Sequence, residues 1–206
     1  MPAAQKLVVL GASGVGKTRL CQRLRRADTS VVKAEVHTTV GAKFHRVVDR
    51  NDGVNYMMWD ISGHPRYNGL IPLYLPGASR ILLVYNLRNA STFSTLLELC
   101  EQQLLPQKQL LSNVQIILVG THAKARGTPD PPTITTRQNM VSILSSVSEN
   151  KINEVHVDCV EDGRCALLKI FAECEMATPS ARPFRSDGSD GIFGRLQAWL
   201  VQKWCQ

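Results

Sequence analysis

Gly11-Ala12-Ser13-Gly14-Val15-Gly16-Lys17-Thr18 fills every fixed position of the phosphate-loop pattern G-x-x-x-x-G-K-[ST]. Its flanks agree with it. Leu7-Val8-Val9-Leu10 is a short apolar run that reads as a buried parallel strand. Residues 19–26 continue as a helix with Leu20 and Leu24 on one face. A strand, a glycine turn and a helix start gather backbone N–H groups around one point, a nest for anionic phosphate assisted by the helix dipole. Gly14 and Gly16 permit positive φ and close approach of a phosphate. Lys17 is a point charge for the β- and γ-phosphates, and the Thr18 hydroxyl is a hard oxygen suited to Mg²⁺. The expected nucleotide contacts here are Gly11, Ser13, Gly14, Val15, Gly16, Lys17, Thr18 and Arg19.

The bulk properties narrow the class. The chain has 206 residues, 44% hydrophobic and 20% charged, enough for one α/β domain with a sizeable core. No apolar run approaches the roughly 20 residues that span a bilayer, and no signal-peptide core is expected at the N-terminus. Six scattered cysteines without a C-x-x-C pair read as reduced thiols of a cytoplasmic protein. The net charge is +7, and much of the basic density lies beside the phosphate loop in Lys17, Arg19, Arg23, Arg25 and Arg26. No aromatic-basic platform accompanies it, so nucleic acid is not an expected partner. Pro2 and the penultimate Cys205 fit no lipid-anchor pattern.

Apolar runs alternate with helical patterns along the chain. Strands are expected at 40–49, 55–60, 80–86, 114–120 and 155–159, with a hairpin turn at Asn51-Asp52-Gly53. Helices are expected near 66–75, 92–105 and 133–149, the last with Met140, Ile143, Leu144 and Val147 at helical spacing. This order predicts an α/β, three-layer P-loop fold: a mostly parallel six-stranded sheet, one antiparallel strand, helices on both faces. Lys124 to Pro132 reads as a surface loop and 177–191 as an irregular insertion. Residues 160–175 and 192–204 both carry amphipathic patterns. The second, with Trp199 and Trp204, either closes the core or docks a partner.

Two further constellations carry chemistry. Asp60-Ile61-Ser62-Gly63 supplies D-x-x-G at a strand end, about 40 residues beyond the phosphate loop. The carboxylate suits a magnesium-bound water, and Gly63 frees its N–H to turn toward a γ-phosphate. Between the two motifs lies Thr38-Thr39-Val40-Gly41-Ala42-Lys43-Phe44. Together, from Leu7 to Gly120, these stretches resemble the Ras superfamily of small G proteins, its Rab-like branch most closely. Thr39-Val40-Gly41 with Phe44 is similar to switch I, Trp59 to Tyr67 to switch II, and Tyr74-Leu75-Pro76-Gly77-Ala78 with Leu82 to Asn86 to the helix and strand that follow. The resemblance implies a single G domain over 1–206, with switch I about 31–41 and switch II about 60–74. It also implies GTP/GDP as ligand, with Mg²⁺ held by Thr18, Thr39 and, through water, Asp60.

The chain departs from that family in two places. His64 stands where small G proteins usually carry the glutamine that orients the attacking water. Asp60 to His64 resembles the D-x-x-G-H of translational GTPases, so His64 joins Lys17 and Gly63 as a candidate catalytic residue, with slow hydrolysis expected. The guanine motif N-K-x-D is replaced by Thr121-His122-Ala123-Lys124. Lys124 is donor-only and cannot accept the guanine N1 and N2 protons, a loss of about 1.5–3 kcal/mol. Thr121, His122, Lys124 and the backbone N–H of Cys159 remain the expected base contacts, with weakened selectivity.

The altered base motif and missing lipid cysteines resemble divergent Rab-like members that act in intraflagellar transport complexes, implying protein partners at the switches and a cytoplasmic or ciliary location. The expected function is an atypical GTPase switch. The alternative is a nucleotide-bound, non-hydrolysing scaffold. A nucleoside-monophosphate kinase needs several convergent lid arginines, and Arg126 and Arg137 stand isolated in the sequence.

Overall fold

The computed structural model describes residues 4–25, 38–48, 55–122, 132–157 and 170. Six strands form one sheet in the order β2-β3-β1-β4-β5-β6: β1 Gln5–Leu10, β2 Ala42–Val48, β3 Asn55–Ile61, β4 Arg80–Asn86, β5 Gln115–Thr121 and β6 Asn153–Val157. Only β2 is antiparallel, pairing β3 with Lys43 opposite Asp60. All other neighbours are parallel. The three-layer α/β expectation is met.

Alternation along the central strands makes two cores. Leu7, Val9, Leu82, Val84, Ile117 and Val119 face Leu20, Cys21 and Leu24 of α1 (Lys17–Arg25). Val8, Leu10, Ile81, Leu83, Ile116 and Leu118 face the other way. There they meet Ile71 of α2 (Ile71–Tyr74), Phe93 and Leu96 of α3 (Ala90–Leu99), Leu111 of α4 (Lys108–Leu111), and Met140, Leu144 and Val147 of α5 (Ile134–Val147). A strand buried on both faces has no polar positions to alternate, which is why β4 and β5 read as continuous apolar runs.

Several boundaries differ from the sequence expectation, for physical reasons. The 66–75 helix is a 3₁₀ segment, Pro65–Leu70, followed by the single turn α2. Pro72 has no N–H to continue an α-helical ladder. The 92–105 helix starts earlier, where Asn89 caps it by accepting from the Ser91 N–H at 3.0 Å. It then widens into a π turn at Cys100–Leu104 and tightens to 3₁₀ at Leu105–Gln107 around Pro106. β6 begins two residues before the expected 155, and β5 runs one residue further, through Thr121. The Asn51-Asp52-Gly53 turn, the 124–132 loop, and the 177–191 and 192–204 segments lie outside the described residues. From the 160–175 pattern only Ile170 is described. It is fully buried in the α1-side core. No helix among the described residues is long and apolar enough to cross a membrane.

Candidate functional site

The parallel pairing of β1 with β3 puts Val9 beside Asp60. The two chains therefore leave the sheet together at its C-terminal edge, one as the phosphate loop and the other as the D-x-x-G turn. This is where open α/β sheets bind ligands. Gly14 and Gly16 take φ of 78° and 97°, left-handed values that favour glycine. Ser13 and Gly14 are exposed at the loop crest, Val15 is buried beneath it, and Arg19 is half-buried in the first turn of α1. Lys17 folds back over the loop, donating from Nζ to the carbonyls of Gly11 and Ala12, both at 2.8 Å. Burial draws its ammonium down to about 8, against the pull of the Asp60 charge. An anion placed in the loop favours the charged form and reverses that shift.

Three elements converge on hard oxygen atoms. Thr18 Oγ1 donates to Asp60 Oδ2 at 2.5 Å, and Thr39 Oγ1 lies 2.8 Å from Thr18 Oγ1 and 3.4 Å from Asp60 Oδ2. Hydroxyl and carboxylate oxygens in this arrangement suit a small hard cation such as Mg²⁺. Asp60 is fully buried, and burial raises its pKa against the Thr18 bond and the Lys17 charge. Its Oδ1 has no hydrogen-bond partner among the described residues.

Switch II begins in tight contact with the loop. A Cβ on Gly63 would sit 2.4 Å from the Ala12 carbonyl carbon and 2.5 Å from the Gly11 oxygen. The Ser62 N–H donates to the Gly41 carbonyl at 2.8 Å, tying the two switch segments together. His64 is exposed and caps the 3₁₀ segment: its Nδ1 accepts from the Arg66 N–H at 3.2 Å. That bond assigns the neutral ring's proton to Nε2, leaving the side chain a donor on its open side.

The base-side residues divide. The Thr121 hydroxyl, 1% exposed, lies 2.6 Å from the Val15 carbonyl and 3.0 Å from that of Tyr85. The side chain is committed to the loop and to β4. His122 is exposed, its backbone N–H donating to the Val157 carbonyl at 3.2 Å. Lys124 and Cys159 lie outside the described residues.

Two groupings were not foreseen. Phe44, Trp59 and Tyr74 stack in series, with successive centroids 5.1 Å apart, and Val40 (77% exposed) and Leu73 (71%) are nearby in sequence. Each had been read only as part of its own motif. Arg137, isolated along the sequence, is not isolated in space. It donates to both Glu154 oxygens at 2.9 Å, and Tyr85 donates its hydroxyl to the same carboxylate. A cavity of 580 Å³ beside α5 and β6, lined in part by Val141, Ser148 and Lys151, lies away from the phosphate loop.

A phosphate-loop strand–turn–helix on a six-stranded sheet of this order, with D-x-x-G at the adjacent strand end, defines a small-G-protein type of P-loop fold. Residues 6–161 match the Ras family. The chain is 31% identical over 124 residues to Ras-related protein Rab-11A of Dictyostelium discoideum, covering 59% of this chain and 55% of that protein. It is 28% identical over 151 residues to GTP-binding protein ypt3 of Schizosaccharomyces pombe, covering 70% and 68%. It is 34% identical over 93 residues to Ras-related protein Rab-11B of Dictyostelium discoideum, covering 44% and 41%. The chain thus spans about half the length of the two Rab-11 relatives it matches. It belongs to the Ras family, in its Rab-like branch.

Proposed function

We propose that this chain is an atypical nucleotide-dependent switch. It binds GTP and GDP with Mg²⁺, hydrolyses GTP slowly, and presents residues 38–44 and 60–74 to a protein complex of the intraflagellar or vesicular transport class. The observation that carries the reading is the meeting of Thr18, Thr39 and Asp60. One residue comes from the phosphate loop and one from each switch, so a ligand there senses all three segments at once.

Thr18 and Thr39 would hold the magnesium directly and Asp60 through water. The ion, when bound, neutralises charge on the phosphate oxygens. Lys17 adds a point charge beside them. Gly63 packs against the loop, and its N–H would draw switch II in where a γ-phosphate accepts it. His64 presents a donor to a water but no acceptor, so it does not withdraw the proton of an attacking water. This supports slow turnover. Lys124 in place of the guanine-recognising carboxylate supports relaxed base selectivity. The Phe44-Trp59-Tyr74 surface runs from β2 and β3, between the switches, to α2 at the end of switch II, and apolar aromatic area of this kind suits a protein partner.

The same His64 geometry favours a second reading, in which the nucleotide is a permanent structural ligand of a scaffold. Identification of the copurifying nucleotide, followed by single-turnover phosphate release, separates the two. GDP in the preparation and slow release from added GTP support the switch. Retained GTP with no release over hours supports the scaffold. An empty protein with equal, weak affinity for GTP, GDP and ATP overturns both.

A further inference from the structure

Three buried side chains that the switch reading does not use as a set meet next to the phosphate loop. Cys21 is on α1, His45 on β2 and Asp60 near the end of β3. The Cys21 Sγ, a His45 ring nitrogen and an Asp60 carboxylate oxygen all lie within 4.8 Å of one another. Their residues are 0%, 2% and 0% exposed. A buried histidine ordinarily has at least one ring nitrogen hydrogen-bonded. Here neither Nδ1 nor Nε2 has a partner among the described residues, and neither has Asp60 Oδ1.

The three donors are an imidazole nitrogen, a sulfur and a carboxylate oxygen. This mixture suits a borderline-soft divalent ion and differs from the hard hydroxyl pair of Thr18 and Thr39. A thiolate and a carboxylate bring two negative charges, so a divalent ion leaves the buried cluster neutral. Zinc bonds are about 2.3 Å to sulfur and about 2.0–2.1 Å to nitrogen, so donors within 4.8 Å of one another must draw together to hold the ion.

We propose that Cys21, His45 and Asp60 form a buried site for a divalent transition cation of the zinc class, with water as fourth ligand. As the metal–sulfur bond forms, the Cys21 thiol proton leaves to solvent. Asp60 bridges this site and the threonine pair, keeping Oδ2 on Thr18. The site needs no nucleotide, although it shares Asp60 with the magnesium site of the switch reading.

The test is titration of the full chain with Co²⁺ in excess Mg²⁺, with and without GDP. One equivalent should produce a thiolate-to-cobalt charge-transfer band, release one proton, and be displaced by Zn²⁺. Cys21→Ser and His45→Gln should each remove the band and weaken Zn²⁺ binding at least tenfold, whereas Cys100→Ser should not. A band that survives both substitutions, or no thiolate band at all, overturns the site. X-ray absorption on the zinc-loaded unmodified chain gives a reading that does not depend on the variants folding. One sulfur with nitrogen and oxygen neighbours supports the assignment, and an all-oxygen or all-sulfur shell refutes it.

Discussion

His64 turns its Nδ1 toward its own chain, and that single bond sets an expectation for catalysis. Replacing it with alanine should leave intrinsic GTP hydrolysis within about threefold of the original, because an Nε2–H donor contributes little to activating water. His64→Gln restores both an acceptor and a donor and should accelerate hydrolysis about tenfold, about 1.4 kcal/mol of barrier; single-turnover phosphate release reads both. Gly63 is constrained by contact. With a Cβ placed 2.4 Å from the Ala12 backbone, Gly63→Ala should push switch II off the loop and cost about 1–3 kcal/mol. Denaturant unfolding measures the loss, and a falling GTP-to-GDP affinity ratio locates it at the switch. Lys17, Thr18 and Asp60 were named from motifs of fixed residue types at fixed spacings and Thr39 from the family resemblance, and the structure brings Thr18, Thr39 and Asp60 within hydrogen-bond reach of one another. His45 was not legible in the sequence. A lone histidine on an amphipathic edge strand looks like any half-buried residue until α1 is folded against it. The Thr121 hydroxyl was equally silent, since its partners are backbone carbonyls from two other segments.

The least expected bond between elements joins α5 to β6. Arg137 grips Glu154 with two hydrogen bonds, stacks 5.7 Å from Phe93 of α3, and lies 3.4 Å from the Tyr85 hydroxyl of β4. The pair is about one-third exposed, so solvent screening limits it. A double-mutant cycle of Arg137→Ala and Glu154→Gln should give a coupling of about 1 kcal/mol. Burial alone would raise the Glu154 carboxyl, but bonds from Tyr85, His156 and Arg137 outweigh it and hold the pKa below its ordinary 4.5. A depressed carboxylate stabilises the fold above its unfolded value and loses that contribution as pH falls through the folded one. Stability should therefore decline below about pH 4.5, less steeply in Glu154→Gln, as thermal unfolding across pH 3–7 would record. Element types were readable from apolar period and length. The ends of α3 and the 3₁₀ segment were not, because a proline's effect depends on which carbonyl the ladder next requires.

At the scale of the molecule, ligand and fold are linked. GDP with Mg²⁺ at about one hundred times its Kd should stabilise the chain by about 2.7 kcal/mol. For a protein of this size that raises Tm by roughly 5–11 °C, and EDTA should reverse most of the gain. The aromatic series lies between the switches and reaches the end of switch II, so Phe44→Ala should weaken binding of the GTP-state partner by about 2 kcal/mol while leaving nucleotide affinity unchanged. Calorimetry with the isolated partner and with nucleotide checks the two halves separately. Sheet order and the helix faces follow from alternating strands and helices together with right-handed crossovers, which is why the architecture was predictable. The convergence of Arg137 on Glu154 depends on packing distances that no local pattern encodes. Thr121 braces the loop from the rear, so the cradle for the anionic tail keeps its shape without help from the purine end. A lineage built this way is at liberty to rewrite which ring it accepts while its hold on the pyrophosphate stays intact.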